Sequence, residues 1–255
     1  MLANSTKEIP RNERYFYQEK KDGERAIISI DNGKVKAVNR REKDIRQNFF
    51  KELSQIKLNC KTAILDAEIT AGNFSKLQQR ALTQSQAKIK LLSKLIPCVV
   101  YVFDVLSVNG KDITKKEFQE RLRILKEIVQ ENEAIKILPV FELAQLDKLL
   151  SDVKKRNGEG IMTKDRHSQY EFRRSGKWLK YKFFKEKTMQ FNSYTKNPAG
   201  IRLSDGLNAV QVAGQQSREV KELIDKQGYA DVNVQYLELS KNGMMRFPSF
   251  RGLAR

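Results

Sequence analysis

A change of rhythm near residue 187 constrains this chain more than any other feature. From residue 15 to about 187, short apolar strands alternate with amphipathic helical stretches, whereas the rest is short strands broken by turn dipeptides. Alternation of the first kind requires a mixed α/β body, and the second kind a small all-β module. Strands are expected over 14–20, 25–30, 34–38, 62–70, 98–106, 160–163 and 177–184, and helices over 45–54, 74–95, 115–131 and 143–156. Phe118, Leu122, Leu125, Ile128 and Val129 recur at helical spacing, which predicts a core-facing helix with Thr114 as its N-cap. The charged run Lys185-Glu186-Lys187 separates the two parts, so we expect domains at 1–186 and 187–255.

Turn signals at Asn197-Pro198, Asp205-Gly206 and Asn242-Gly243, with one short helix over 218–226, suit a small barrel of the oligonucleotide-binding (OB) type in the second part. Charge adds a partner class. The 255 residues carry 49 Lys+Arg against 31 Asp+Glu, a formal charge of +18, which calls for a polyanion such as nucleic acid. Cys60 and Cys98 stand far apart and His167 is the single histidine, so a disulfide framework, a structural zinc site and Cys/His nucleophile chemistry are all disfavoured. Residues 1–13 are polar, and no apolar run is long enough to span a bilayer. A soluble, reduced, cytoplasmic protein is therefore expected, associated with the nucleoid and with no signal peptide.

Six segments carry candidate chemistry. In order they are Lys20-Lys21-Asp22-Gly23-Glu24-Arg25, Leu65-Asp66-Ala67-Glu68-Ile69, Tyr101 to Leu106 ahead of Asn109-Gly110, Glu159 to Lys164, Trp178-Leu179-Lys180-Tyr181-Lys182, and Arg246 to Leu253. Strand alternation puts Phe16, Gln18 and Lys20 on one face, so an amine stands at a strand end beside a glycine-containing turn that lets a phosphate approach the backbone. A protonated lysine is a poor nucleophile, and neighbouring cations with partial burial favour its neutral form. Lys180 and Lys182 share one strand face, with Leu179, Tyr181 and Phe183 turned to the core, so both can depress the Lys20 pKa and hold a triphosphate. Asp66 and Glu68 share a face as well. Carboxylates aimed at phosphate require a cation between, so Glu68 and Glu159 imply Mg²⁺ or Mn²⁺.

Taken together, the segments resemble the motifs of the ATP-dependent DNA ligases, within the covalent nucleotidyltransferase superfamily. The resemblance implies an α/β (α+β) nucleotidyltransferase domain with mixed and antiparallel sheets, followed by an OB-fold barrel. It implies ATP as cofactor, Lys20 as the nucleophile that takes AMP, and nicked double-stranded DNA as the partner of a monomer. It makes Phe103 the ring that stacks on adenine, where strand context alone reads it as core. Glu68 would contact the ribose and support the metal that Glu159 assists, and Arg25, Arg40 and Arg174 would contact the nucleotide or the 5′-phosphate. Gln18 stands where many ligases have a glutamate and can still accept from the adenine amine, with Glu19 beside it among the nucleotide-binding residues. Arg246 and Arg251 are expected on DNA, Trp178 and His167 in structural places. With residues 1–19 alone ahead of Lys20, no separate N-terminal DNA-binding domain is expected. The Arg-x-Asp-Lys ending of many relatives is absent, which leaves Arg251 or Arg255 to orient pyrophosphate. An RNA ligase or another nucleotidyltransferase of the superfamily remains an alternative, as does a nucleic-acid-binding module that has lost catalysis.

Overall fold

The apolar strands of the first part pair into two larger sheets whose buried faces alternate with polar ones. The computed structural model describes residues 1–240 and 242–254, divided between two compact units, Met1–Tyr181 and Lys182–Arg255. Arg255 lies outside the described residues. In chain order the first unit contains β1 (Leu2–Ser5), β2 (Tyr15–Glu19), β3 (Glu24–Asp31), β4 (Lys34–Asn39), α1 (Phe50–Leu53), β5 (Lys57–Leu58), β6 (Thr62–Thr70), α2 (Phe74–Leu82) and α3 (Gln86–Leu95). It continues with β7 (Val99–Val108), β8 (Lys111–Asp112), α4 (Phe118–Ile128), β9 (Val129–Gln130), β10 (Ile135–Ile137), α5 (Leu146–Lys155), β11 (Gly160–Asp165) and β12 (Arg174–Lys182).

One sheet runs β10-β7-β6-β3-β4 with β8 beside β7, and it is mixed, since β10 pairs parallel to β7 while β6 pairs antiparallel to both β3 and β7. The other runs β1-β12-β11-β2. Ala26, Ile28, Leu65, Ala67, Val102 and Val105 are buried, and α4 adds Phe118, Leu122 and Leu125 to the same core. Removing each such aliphatic side chain from water contributes about 1.5–3 kcal/mol.

Local chemistry explains where the elements depart from expectation. The single helix expected over 74–95 is two helices, because Asn48 Nδ2 donates to the Arg80 and Thr83 carbonyls at 2.9 and 2.8 Å and so satisfies the open end of α2. Thr114 is not the cap of α4. That position belongs to Glu117, and the Thr114 N–H instead accepts its place in a turn by donating to Asp112 Oδ1 at 2.7 Å. Strand β1, unforeseen, adds parallel to β12. On β12 the residue that enters the core is Trp178, while Leu179 and Tyr181 are only half-buried, so the expected inward face is corrected to the one that Trp178 shares with Lys180.

The second unit holds β13 (Lys185–Phe191), β14 (Ser193–Asn197), β15 (Gly200–Ser204), β16 (Ala209–Val212), α6 (Gln215–Gln227), β17 (Ala230–Tyr236) and β18 (Ser249–Leu253). Its core is Phe191, Leu203, Val210, Val220, Val232 and Val234. Gly200, at φ +128°, lets β15 pass the Val212 carbonyl, which a Cβ would meet at 2.3 Å. Among the described residues its strands form two three-stranded sheets, β13-β17-β18 and β14-β15-β16, with no hydrogen-bonded closure into a barrel. Among the same residues, no helix is long and apolar enough to cross a membrane.

Helix α2 is anchored from below. Arg80, 1% exposed, makes a two-pronged pair with Glu52 at 3.0 and 2.9 Å and also donates to the Asn48 and Ile96 carbonyls. Removing one partner of a buried pair strands the other charge, so Glu52→Ala should cost about 3–5 kcal/mol in urea unfolding. A loss under about 1 kcal/mol would show that Arg80 finds water or another acceptor.

Candidate active site

The site begins with backbone pairing. β2 runs antiparallel to β11, and the pairing continues one residue past Glu19, where the Lys20 N–H donates to the Gly160 carbonyl at 2.9 Å. That bond sets the Lys20 side chain beside Glu159, and Nζ donates to Glu159 Oε2. The amine is one-fifth exposed and the carboxylate almost fully buried. Lys20 is thus paired with a carboxylate, where the sequence led us to expect the company of lysines.

Gly23 has a second reason for being glycine beside the one expected. A Cβ there would lie 2.4 Å from the Ile69 carbonyl oxygen and 2.7 Å from Glu68 Cγ. The missing side chain therefore makes room for the carboxylate-bearing strand β6.

These elements enclose a cavity of about 970 Å³ whose lining includes Gln18, Lys20, Glu68, Phe103, Lys164 and Lys180. Glu19, Arg25 and Arg40 also line it, and α2 contributes one wall through Leu77, Gln78, Ala81 and Leu82. Gln18 is fully buried. Its Nε2 donates to the Leu138 carbonyl at 3.2 Å, while its Oε1 has no hydrogen-bond partner. An orphan buried acceptor on the wall of a cavity fits a ligand that brings an N–H group. Burial pushes the Glu68 carboxyl up to about 8, against the pull of Lys20 and Arg25. Glu68 and Glu159 offer hard oxygen donors suited to a divalent cation. Among the described residues, however, no group of three or more His, Cys, Asp or Glu could hold one unaided, so water and phosphate oxygens would have to complete the shell.

Other expected residues have neighbours of their own. Arg25 makes a two-pronged pair with the fully buried Asp66 at 2.8 and 2.5 Å and donates to the Met1 carbonyl and to the Tyr170 hydroxyl. Glu19 accepts from Lys21 at 2.7 Å and from Arg156 at 3.2 Å. Arg40 is exposed at the cavity lining. Arg174 lies outside that lining: it donates to the Ala3 carbonyl at 2.5 Å and borders a separate surface groove with Arg14, Arg173 and Lys177. In the second unit, the Lys182 ammonium stands 4.4 Å over the Phe247 ring, Arg246 pairs with Glu238, and Arg251 donates to Gln235.

A group under the cavity escaped the sequence reading. Lys164, 2% exposed, sets its ammonium 4.0 Å over Trp178, 4.3 Å over Phe103 and 4.9 Å over Phe118. Close by, Arg121 and Asp104, both fully buried, pair at 2.8 and 2.9 Å. Two signals were present: a lysine two residues after Met162 in an apolar strand, and an aspartate inside the apolar run of β7. Burial lowers the Lys164 pKa to about 7, although Asp104 and Asp66 oppose the shift.

Comparisons with known proteins agree on one family. The family model described as the ATP dependent DNA ligase domain matches residues 1–182. The chain is 29% identical over 184 residues to DNA ligase 1 of Methanosarcina barkeri, covering 65% of this chain and 34% of that protein. It is 26% identical over 279 residues to the SPbeta prophage-derived DNA ligase-like protein LigB of Bacillus subtilis, covering 98% and 96%. A solved Lig E DNA ligase superposes with a TM-score of 0.71 at 19% identity over 99% of this chain and 98% of that one, a likeness of fold. The chain spans about a third to a half of the length of the first curated relatives it matches.

Two outcomes test the geometry. Gly23→Ala should displace Glu68 and weaken ATP binding about tenfold or more by calorimetry, with the circular dichroism of the fold retained; unaltered affinity would mean the turn yields without moving Glu68. For Lys164, the folded pKa of about 7 lies below the ordinary 10.5, so between those values the unfolded chain holds the extra proton and stability from this group rises with pH. Relative to Lys164→Met, the parent should therefore gain stability from pH 7 toward 10.5, followed by the fluorescence of Trp178, the single tryptophan. A flat or falling difference would refute the buried, depressed ammonium.

Proposed function

The chain belongs to the ATP-dependent DNA ligase family, and we propose that it seals a DNA 5′-phosphate to an adjacent 3′-hydroxyl through AMP carried on Lys20. The observation that carries this reading is the cavity itself, which a strand-end amine, a half-buried glutamate, an aromatic ring and an orphan acceptor line together. Lys20 attacks the α-phosphorus of ATP and pyrophosphate leaves. AMP then passes to the 5′-phosphate, and the 3′-hydroxyl displaces it.

Before attack Lys20 must shed its proton and its bond to Glu159, so Glu159 acts first as the counter-ion that fixes the amine at the strand end. Gln18 Oε1 accepts from the exocyclic amine of adenine, and Phe103, lining the same cavity, offers its ring to the base. Lys180 and Arg40 draw in the phosphates. Glu68 and Glu159 would hold Mg²⁺ or Mn²⁺, which when bound neutralises developing phosphate charge. Arg25, tied to Asp66 and Tyr170, is a fixed part of the cavity wall. In this reading the second unit is an OB-fold that offers Arg246 and Arg251 to nicked DNA, and Arg174 takes the 5′-phosphate from its surface groove. The two units are proposed to divide as nucleotide and DNA modules near residues 182–187, and the protein to act as a monomer.

Incubation with α-labelled ATP and a divalent cation should leave an acid-labile label on the denatured protein, lost in Lys20→Ala, and nicked DNA should then be sealed. Label that persists in Lys20→Ala, or maps to Lys21, would overturn the assignment. Sealing confined to RNA strands would move the chain to the RNA-ligase alternative, and a chain that takes no label would be the binding module.

A further inference from the structure

Between Ile69 and Phe103 the chain contains no Asp or Glu, although 31 are present overall, and it carries Lys76, Arg80, Lys88, Lys90 and Lys94. Glu52 neutralises Arg80 from another element. The remaining four lysines are exposed, and three of them belong to α3. This arm begins at the cavity, since α2 forms part of its wall, and runs outward through the polar link Thr83-Gln84-Ser85.

Helix α3 is unusual in burying none of its residues fully. Ile89 and Leu92, with Ile96 just beyond, recur at helical spacing and are half-buried, while Lys88, Lys90, Leu91, Lys94 and Leu95 face water. It is nonetheless held in place: Gln86 Nε2 donates to Gln47 Oε1 at 2.9 Å, and Lys51 Nζ donates to the Ser93 carbonyl at 3.2 Å. A lysine side chain reaches further than a leucine. At about 100° per residue Lys90 and Lys94 stand on one flank of Leu91 and Leu95 and Lys88 on the other, so a partner approaching the outward side meets ammonium groups along both edges of the two leucines, and among the described residues no Asp or Glu is found paired with them.

We propose that the outward side of α3 is a track for the phosphate backbone of duplex DNA, leading away from the nucleotide cavity. It rests on the ligase reading for the identity of the polyanion and on its own charge and continuity with the cavity for its location. Phosphate contacts of this kind fix register on the duplex without reading sequence.

The test is duplex binding by fluorescence anisotropy across a salt series, on intact and on nicked DNA, for the parent, for Lys88→Gln/Lys90→Gln/Lys94→Gln, and for the charge-matched control Lys111→Gln/Lys126→Gln/Lys148→Gln. Each lost phosphate contact should make the slope of log affinity against log salt shallower by roughly 0.9, so the α3 variant should lose up to about 2.7 and bind about tenfold or more weakly near 100 mM salt. Self-adenylation should stay at the parent rate, and the control should change the slope far less. An α3 variant with the parent slope, or with the same loss as the control, overturns the track. So does a loss produced by Leu91→Ser/Leu95→Ser and not by the lysine variant, which would make this face an apolar docking site for a protein. A parent with a steep slope that takes no label from ATP would refute the ligase reading and leave the track standing, and a labelled parent with a flat slope would do the reverse.

Discussion

The pairing of β2 with β11 is the constraint on which the rest of the site depends. Lys20 and Glu159 are far apart in sequence, and a single backbone bond from the Lys20 N–H to the Gly160 carbonyl brings them into contact. A slip of one residue in that register would turn Gln18 and Lys20 to the opposite face, since side chains alternate along a strand. Interior packing guards against it: the fully buried Tyr17, on the face opposite Gln18, donates its hydroxyl to the Pro10 carbonyl at 2.7 Å. The position of Lys20 is thus set by the core on one side and by a carboxylate on the other.

Beneath the cavity lies a layer of buried charge: Asp66 with Arg25, Asp104 with Arg121, and Lys164 among three aromatic rings. Such groups are a poor investment in stability, because desolvating them offsets most of their attraction. Their use is geometric. Asp66 receives both Arg25 and the Tyr170 hydroxyl, the latter at 2.8 Å, so one carboxylate ties β6 to β3 and to the segment ahead of β12. Phe103 and Trp178 meet edge to face at 6.2 Å and share the Lys164 ammonium, which leaves neither ring free to turn. A rigid floor of this kind keeps the lining of the cavity in one shape.

Much of this was legible from the sequence. Alternation gave the seven longer strands from β2 to β12 within a few residues, with Thr62–Thr70 matched at both ends, because their apolar faces are buried on a sheet, whereas β1 and the short β5, β8, β9 and β10 were not foreseen. Order and spacing brought Lys20, Glu68, Phe103 and Lys180 to one cavity. What stayed hidden depended on tertiary partners. The break between α2 and α3 comes from Asn48, a residue in a distant loop, and no local signal at Thr83 announces it. Arg174 matched a motif position, yet in the structure it turns to the Ala3 carbonyl, an acceptor supplied by a strand that periodicity did not reveal. The steric reason for Gly23 stayed hidden, since close approach of β6 can be seen only once β3 and β6 are paired.

The places where general rules fail are themselves informative. Proteins satisfy nearly all buried polar groups, yet Gln18 Oε1 stands open, and desolvation pushes the carboxyl of the half-buried Glu68 up to about 8. Each costs stability in the chain alone, and each would be relieved by a ligand: an N–H donor for the first, a cation for the second. Both line the cavity that Lys20 borders, whereas elsewhere in the first unit the buried charges Glu52, Asp66 and Asp104 are paired with arginines. Arg80 Nε, Thr163 Oγ1, Arg166 Nε and Trp178 Nε1 also lack partners, yet Gln18 Oε1 and Glu68 share one cavity, which is the pattern expected when a fold gives up stability locally for binding. It ties the unfavourable features of this structure to the same atoms that its chemistry would use.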